Sequence, residues 1–488
     1  MAPELTDMWD VVVIGGGPPG ENVAQYAIAG SARTAVIVEA ELVGGECSYW
    51  ACTPSKALLR PVEVVDAARG VAGAAAAVDG EIDVAAVLNR RDTFTSHHDD
   101  SAQVEWARRA GIAIVRGQGR LAGPKTVTAT NGDGSIRTLH ARQAVVLATG
   151  TTAAIPDVPG LRPALPWTSR DVTNLAEVPR RVAVLGGGVV ACEAVTWLHG
   201  LGAAEVTVIE RSPALLAKQE SFAGEMLARH FRQLGVTVLT GTQVDQVARP
   251  AVGATGIGRI HGGPATVVTG GRSIEVDEIV VAAGRNPASG DLGLESVGLD
   301  VGSSRGFVPV DDHLNVVGVD GTWLYAVGDL CGRALLTHMG KYQARIAGAV
   351  IAARAEGRPL TGPRYLDLAD HDIVPAVVFT DPQVASVGLT EAAARQKGID
   401  VEVLEYDIGS VRGAALLRDG YQGRAKLVVN RATDTLVGAT FVGSDVAELL
   451  HSATVAIVGQ VTLAALWHAV PSYPTISEVW LRLLESRH

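Results

Sequence analysis

Cys47 and Cys52 stand five positions apart in the stretch GGECSYWACTPSK, residues 44–56, and the other two cysteines, Cys192 and Cys331, have no neighbour of their kind. Two thiols at that spacing can cycle between disulfide and dithiol or share a metal ion. Zinc asks for about four ligands, and neither Cys192 nor Cys331 brings a CxxC partner, so the metal reading is weak. In a reducing compartment a close pair is more often catalytic than structural. The redox reading then requires a source of electrons.

Two glycine-rich turns provide one. Residues 9–39 read as strand, turn, helix, strand, with Gly15, Gly17 and Gly20 in a GxGxxG between a Val11–Ile14 strand and a helix from about Pro18, and Glu39 closing the second strand. The first glycine permits the tight turn, the second lets backbone approach a pyrophosphate, the third lets helix and strand pack, and the acid accepts hydrogen bonds from a ribose. The pattern recurs from Arg181, with Gly186, Gly188 and Ala191 at the three positions and Glu210 after the next strand. Two dinucleotide units predict two bound cofactors. A disulfide exchanges electrons with a nicotinamide only through a carrier that handles both hydride and thiolate chemistry. FAD is therefore expected at the first turn, beside the cysteines, and a nicotinamide at the second. Glu210 would bond a 2'-hydroxyl and repel a 2'-phosphate, which favours NADH, while Arg211 beside it leaves NADPH possible.

The 488 residues, 47% hydrophobic and 19% charged, suffice for about three domains. A formal charge of -11 without a basic run excludes nucleic acid as a partner. The acidic opening, Met1 to Asp7, has neither the basic nor the apolar part of a secretory leader, and a cytoplasmic address is expected. Leu449 to Ser477 contains no Asp, Glu, Lys or Arg, but His451, Gln460, His468, Pro471 and Pro474 interrupt it, so a buried interface helix and loop is expected and no membrane span. His97, His98, Asp99 and Asp100 are consecutive and cannot all converge on one ion; they read as a polar surface turn, and no metal site is expected. Cys331 reads as a small buried filler and Cys192 as a packing residue in its helix.

With these residues in view, the chain resembles the flavoprotein disulfide reductases, which include lipoamide dehydrogenase, glutathione reductase, mercuric reductase and the soluble transhydrogenase. GGECSYWACTPSK carries the resemblance, joined in order by ATG at Ala148–Gly150, AAGRNP ending at Pro287, AVGDL at Ala326–Leu330 and VFTDPQVASVGLTE at Val378–Glu391. The resemblance implies that Cys47 is the interchange thiol and Cys52 the charge-transfer thiol, that Lys56 and Glu193 pair near the reactive edge of the isoalloxazine, and that Gly328 and Asp329 hold the ribityl and pyrophosphate region of FAD. It adds Gly45, Thr149, Gly150, Gly284 and Arg285 to the cofactor-binding positions. A cation beside the flavin stabilises the negative charge of its reduced form, and a thiolate forms more easily near a helix N-terminus or a cation.

One departure is sharp. Where the family's thiol reductases carry His-Pro-Thr-x-x-Glu, this chain has YPTISE: Tyr473 stands in the histidine position, with Pro474, Thr475 and Glu478 retained. Histidine titrates near ~6.5 and tyrosine near ~10, so a phenol is a poor base at neutral pH. His468 lies upstream at the wrong spacing, with Pro471 between. The C-terminal WLRLLESRH has no second cysteine pair of the mercuric reductase kind.

The expected fold is α/β: two Rossmann-like dinucleotide-binding domains, for FAD (1–155 and 285–363) and NAD(P) (156–284), plus a C-terminal α+β dimerisation domain (364–488) that makes a homodimer. The expected function is an FAD-dependent NAD(P)H oxidoreductase with a redox-active Cys47/Cys52 pair and a small-molecule electron acceptor such as a quinone. The alternatives are a disulfide reductase for an unusual thiol and a non-catalytic redox-sensing flavoprotein.

Overall fold

The computed structural model describes residues 7–487. Of the acidic opening, all but Asp7 lies outside the described residues. The chain divides into two compact units, one holding residues up to 53, 92–152 and 285–371, the other 54–91, 153–284 and the chain from 372 onward.

The first unit is built on five parallel strands in the order Ile112–Arg116, Ala35–Glu39, Met8–Ile14, Ile136–Leu147, Leu324–Ala326. Apart from the polar first part of Ile136–Leu147, which pairs outside this layer, their sequences are largely apolar runs, the signature of strands buried on both faces. Alternate residues feed two cores: Val11, Val13, Ile37 and Val146 face one, Val12, Ile14, Val38 and Leu147 the other. The Ile136–Leu147 strand does two jobs, pairing antiparallel with Thr126–Thr130 near its start and parallel with Leu324–Ala326 near its end. Helices Pro18–Ile28 and Thr337–Ala355 cover the first core. They approach so closely that a Cβ on Gly348 would fall 2.5 Å from the Cβ of Tyr26. Because the strand order reverses at Met8–Ile14, a crevice opens at its carboxyl end, and the Gly15–Gly20 turn lies there.

The second unit contains a four-stranded parallel sheet in the order Thr237–Leu239, Glu205–Ile209, Arg181–Leu185, Glu278–Val281. Helix Val189–Gly200 follows its central strand, as Pro18–Ile28 follows Met8–Ile14. Leu58 and Leu59, from the long helix Cys52–Arg69, join Trp197 and Phe231 in the core of this sheet. Pro61 lies inside that helix and has no N–H for the carbonyl of Ala57; Arg90 Nη1 donates to it instead, at 3.0 Å. A five-stranded antiparallel sheet, Pro375–Val378, Gln383–Gly388, Thr435–Gly443, Arg424–Asn430, Val401–Asp407, packs against helices Leu449–Val458 and Glu478–Glu485 around Phe441, Leu427 and Leu483. The architecture is the expected one.

The uncharged stretch from Leu449 is broken into the Leu449–Val458 helix, a short helix Leu463–Leu466 and irregular chain. Within the single chain, half of it is buried. Leu450, Ala453 and Ile457 face the sheet, whereas Val455, Val458, Trp467 and Val470 are exposed, Val470 at 85%. Among the described residues no helix is long and apolar enough to cross a membrane.

Arg249 and Glu278, both with fully buried side chains, form an ion pair at 2.6 Å that ties strand ends of the second unit together. Glu278 also accepts the N–H groups of His261 and Ile279. Arg249→Met should destabilise the protein by about 3–5 kcal/mol in denaturant titration, because it strands a buried carboxylate. Adding Glu278→Gln, which removes the charge but keeps an acceptor for the backbone, should recover more than half of that loss.

Candidate active site

The two glycine turns are alike in detail. Gly15 sits at φ +102 and Gly186 at φ +122; a Cβ on either would meet a carbonyl oxygen, of Ala148 or Ala282, at 2.4 Å. Each donates its N–H across the turn, to Val38 O and to Ile209 O, both at 2.9 Å. A Cβ on Gly20 would collide with Gly15 O at 2.0 Å, so this position accepts nothing larger. The helix that follows each turn has a glycine cap, Gly17 or Gly188, and no side chain bonds its first N–H groups. Nothing lies within 4 Å of where a Cβ on Gly188 would be, and only Pro19 Cδ lies at that distance from Gly17. At the Val189–Gly200 helix, uncapped N–H groups beside the open space at Gly188 fit the pyrophosphate of a dinucleotide; Pro18 and Pro19 fill the first two positions of the other helix and bring no N–H, so the first N–H inside that helix is Gly20's. Gly45 abuts the first turn, where a Cβ on it would fall 2.8 Å from Gly17 Cα.

Both acids are held by backbone. Glu39 Oε2 accepts Gly16 N–H at 2.6 Å and Oε1 accepts Glu41 N–H at 2.7 Å. Burial raises the Glu39 pKa, opposed by those two hydrogen bonds. Glu210 Oε1 accepts Ser212 N–H at 2.6 Å, and Arg211 beside it is exposed. Each carboxylate keeps lone pairs for ribose hydroxyls.

Cys52 opens helix Cys52–Arg69 and Cys47 lies in the short helix Gly45–Tyr49; both are half-buried free thiols. Cys52 Sγ lies 3.3 Å from Thr337 Oγ1. The Cys47 thiol is pushed up, first by its hydrogen bond with Cys52, then by burial and the charge of Cys52; Thr337 and Lys341 oppose this. One turn beyond Cys52 on the same helix, Lys56 donates Nζ to Glu193 Oε2 at 2.7 Å. The other oxygen of the buried Glu193 accepts the N–H of Phe379 at 3.0 Å, and the Phe379 ring lies under the Lys56 ammonium at 4.8 Å. Phe379 was not among the expected site residues, although it lies within VFTDPQVASVGLTE.

Asp329 Oδ2 accepts Thr151 Oγ1 at 2.9 Å, and Arg285 Nε donates to that hydroxyl at 2.5 Å. Burial raises the Asp329 pKa. Thr149 Oγ1 donates to Ala288 O, and the Gly328 N–H to Gln343 Oε1. Thr151 and Gln343 are further residues that sequence reasoning missed; neither belongs to a recognisable motif. Gly150 and Gly284 adopt positive φ, and a Cβ on either would meet open space.

Tyr473 is 71% exposed. Glu478 is buried and pairs with Arg482 at 2.6 Å, while its Oε2 has no hydrogen-bond partner. His468 is exposed. The His97–Asp100 turn is structural: His98 stacks on Trp50 with ring centroids 5.6 Å apart, and Asp100 accepts Val43 N–H and pairs with Arg116. Cys192 and Cys331 are buried, and burial pushes both thiols up.

Residues 9–357 match the family model for pyridine nucleotide-disulphide oxidoreductases, and residues 374–483 match the dimerisation domain of the same family. A dihydrolipoyl dehydrogenase from Chlorobaculum tepidum is 32% identical over 480 residues, covering 98% of this chain and 96% of that protein. A glutathione reductase from Burkholderia cepacia is 31% identical, over 98% of this chain and 99% of its own length, and a mercuric reductase from Staphylococcus aureus is 29% identical, over 96% and 81%. In fold, the chain is similar to an HOCl-induced flavoprotein disulfide reductase from Escherichia coli, with a TM-score of 0.82 at 22% identity over 98% of this chain and 99% of that one. Twin glycine turns, a cysteine pair at a helix N-terminus and a lysine held by a buried glutamate thus occur in a chain matched along nearly its whole length, and it belongs to the pyridine nucleotide-disulphide oxidoreductases, as an NAD(P)H-dependent flavoenzyme of the disulfide reductase type.

Proposed function

We propose that the chain takes electrons from NADH, with NADPH a poorer donor, and delivers them by way of FAD to a small acceptor such as a quinone, with Cys47 and Cys52 as a redox-active pair on which electrons can rest without lying on the path to the quinone. Bound FAD supplies the exchange between a hydride donor and the acceptor. The chain's own residues bind, orient and charge the site. In this reading the glycine backbone of the Gly15–Gly20 turn and the positive end of the helix behind it, which Pro18 and Pro19 open without N–H groups of their own, take the FAD pyrophosphate, and Asp329, steadied by Thr151, takes the ribityl hydroxyls. Gly186, Gly188 and Glu210 take NADH. Glu193 holds the Lys56 ammonium in one place, and a fixed positive charge there favours reduced, anionic flavin. Residues 1–155 and 285–363 act as the FAD domain, 156–284 as the NAD(P) domain and 364–488 as the surface of a cytoplasmic homodimer.

The observation that carries the choice of acceptor is the missing base. A phenol replaces the imidazole, and the acid that follows it in the motif, Glu478, is already engaged by Arg482. A quinone needs no proton from that position, whereas a thiol leaving group does. The second reading, reduction of a disulfide whose leaving thiol is unusual and of low pKa, is supported by the names of the relatives and by the Cys52 thiol at the start of its helix.

Anaerobic NADH should bleach the yellow protein and raise a long-wavelength band from the Cys52 thiolate, and Cys52→Ser should lose that band while turning over quinone at the wild-type rate. Loss of quinone turnover in Cys52→Ser would move the assignment to the disulfide route. Tyr473→His should raise glutathione disulfide or lipoamide turnover by about 10²-fold, toward the usual range for an added general base, and leave quinone turnover unchanged.

A further inference from the structure

Beyond the groups assigned above, the first unit contains a hydrogen-bonded chain that runs from the Gly328 turn to its surface. Gly328 donates its N–H to Gln343 Oε1 at 2.6 Å. Gln343, fully buried in helix Thr337–Ala355, donates Nε2 to Asp370 Oδ2 at 2.6 Å. The other oxygen of Asp370, Oδ1, is buried without a hydrogen-bond partner. The Asp370 N–H reaches Asp367 Oδ1 at 3.4 Å, and Asp367, wholly buried, accepts from Arg333 Nη1 at 2.9 Å. Arg333 continues to Asp312, whose Oδ1 also lies 2.8 Å from His371 Nε2.

An ionised carboxylate only accepts. Asp370 therefore decides which end of the Gln343 amide is the donor, and so aims Oε1 at Gly328. A proton shared with the wholly buried Asp367 would supply the partner that the inaccessible Oδ1 of half-buried Asp370 lacks, since neighbouring carboxylates out of water hold one between them. Burial first, then the hydrogen bond and charge of Asp370, push the Asp367 pKa up to about 7, with Arg333 opposing. The titratable and charged groups around the pair are Arg333, Cys331, Asp312, His371 and Tyr342, whose hydroxyl takes the N–H groups of Leu368 and Ala369.

We propose that Gln343, locked by the Asp367/Asp370 pair, is a positioning residue for the Gly328–Asp329 turn and sets how tightly the chain holds FAD. This rests on the assignment of Asp329 to FAD made above. Gln343 touches no cofactor in this scheme; it acts through the Gly328 peptide. When the pair loses its proton the two carboxylates repel, Asp370 withdraws from Nε2, and the amide is free to rotate. FAD release should therefore quicken as pH rises through about 7.

The test is the release of FAD from purified holoenzyme, followed by the gain in free-flavin fluorescence on dilution across that pH range. Gln343→Met and Asp370→Leu should release FAD at least about tenfold faster than wild type, the factor for one lost hydrogen bond to a fixed group. Asp370→Asn retains an acceptor oxygen for Gln343 but no shared proton, so it should hold FAD like wild type at low pH and lose the pH step. Gln343→Met retaining FAD with the wild-type rate and pH profile would overturn the proposal. Should Gln343→Met fail to fold, Asp370→Asn decides: a vanished pH step supports the proposal and an unchanged one overturns it. Wild type that purifies colourless and takes up no added FAD would overturn the FAD assignment itself, a different outcome from either.

Discussion

The buried carboxylate of Glu193 is the constraint that its neighbours satisfy. A charge taken out of water at this depth is tolerated only with both oxygens engaged, and here one meets the Lys56 ammonium and the other the Phe379 amide. The three residues come from a helix after the cysteine pair, a helix after the second glycine turn and the edge of a C-terminal strand. Fixing one charge thus fixes three segments far apart in sequence. The Phe379 ring adds a face on which the ammonium rests without competing for the carboxylate. What results is a cation whose position is set by packing and not by its own flexible stem.

The parts of this arrangement that the sequence makes legible are local ones. Gly20 is readable because the carbonyl of Gly15, in the same strand–turn–helix unit, lies where a side chain would begin; Gly15 and Gly186 are readable from the spacing of their motif, although the carbonyls they clear, those of Ala148 and Ala282, end strands remote in sequence. Glu39 and Glu210 are readable for the same reason, by their distance from the turn. Lys56 and Glu193 were paired only through family resemblance. Phe379, Thr151 and Gln343 were not found, because each acts through hydrogen bonds or a ring contact to residues outside its own element, and no period or spacing marks such contacts. The apolar stretch after Leu449 shows the converse limit. Its composition announces burial, but the helix is two-faced, and Val455 and Val458 turn away from the sheet that Leu450 and Ala453 cover.

The two acids beside the glycine turns show how a polar group is prepared for a ligand. A free carboxylate would sample many rotamers and lose that freedom on binding. Glu39 is already tied to Gly16 and Glu41, and Glu210 to Ser212. The entropy of fixing them is spent in folding, so ribose hydroxyls meet acceptors that are already aimed. The same logic runs through Thr151, which Arg285 holds from one side while it donates to Asp329 on the other.

Pro61 gives the Cys52–Arg69 helix a property that its regular appearance conceals. Where an ordinary helix closes each turn with a peptide-to-peptide bond, this one closes the turn at Ala57 with the guanidinium of Arg90. A peptide rung breaks only when the helix unwinds, whereas a half-buried side chain can be displaced by a water molecule and return. Flexibility in this helix is therefore concentrated at one rung, just past Lys56.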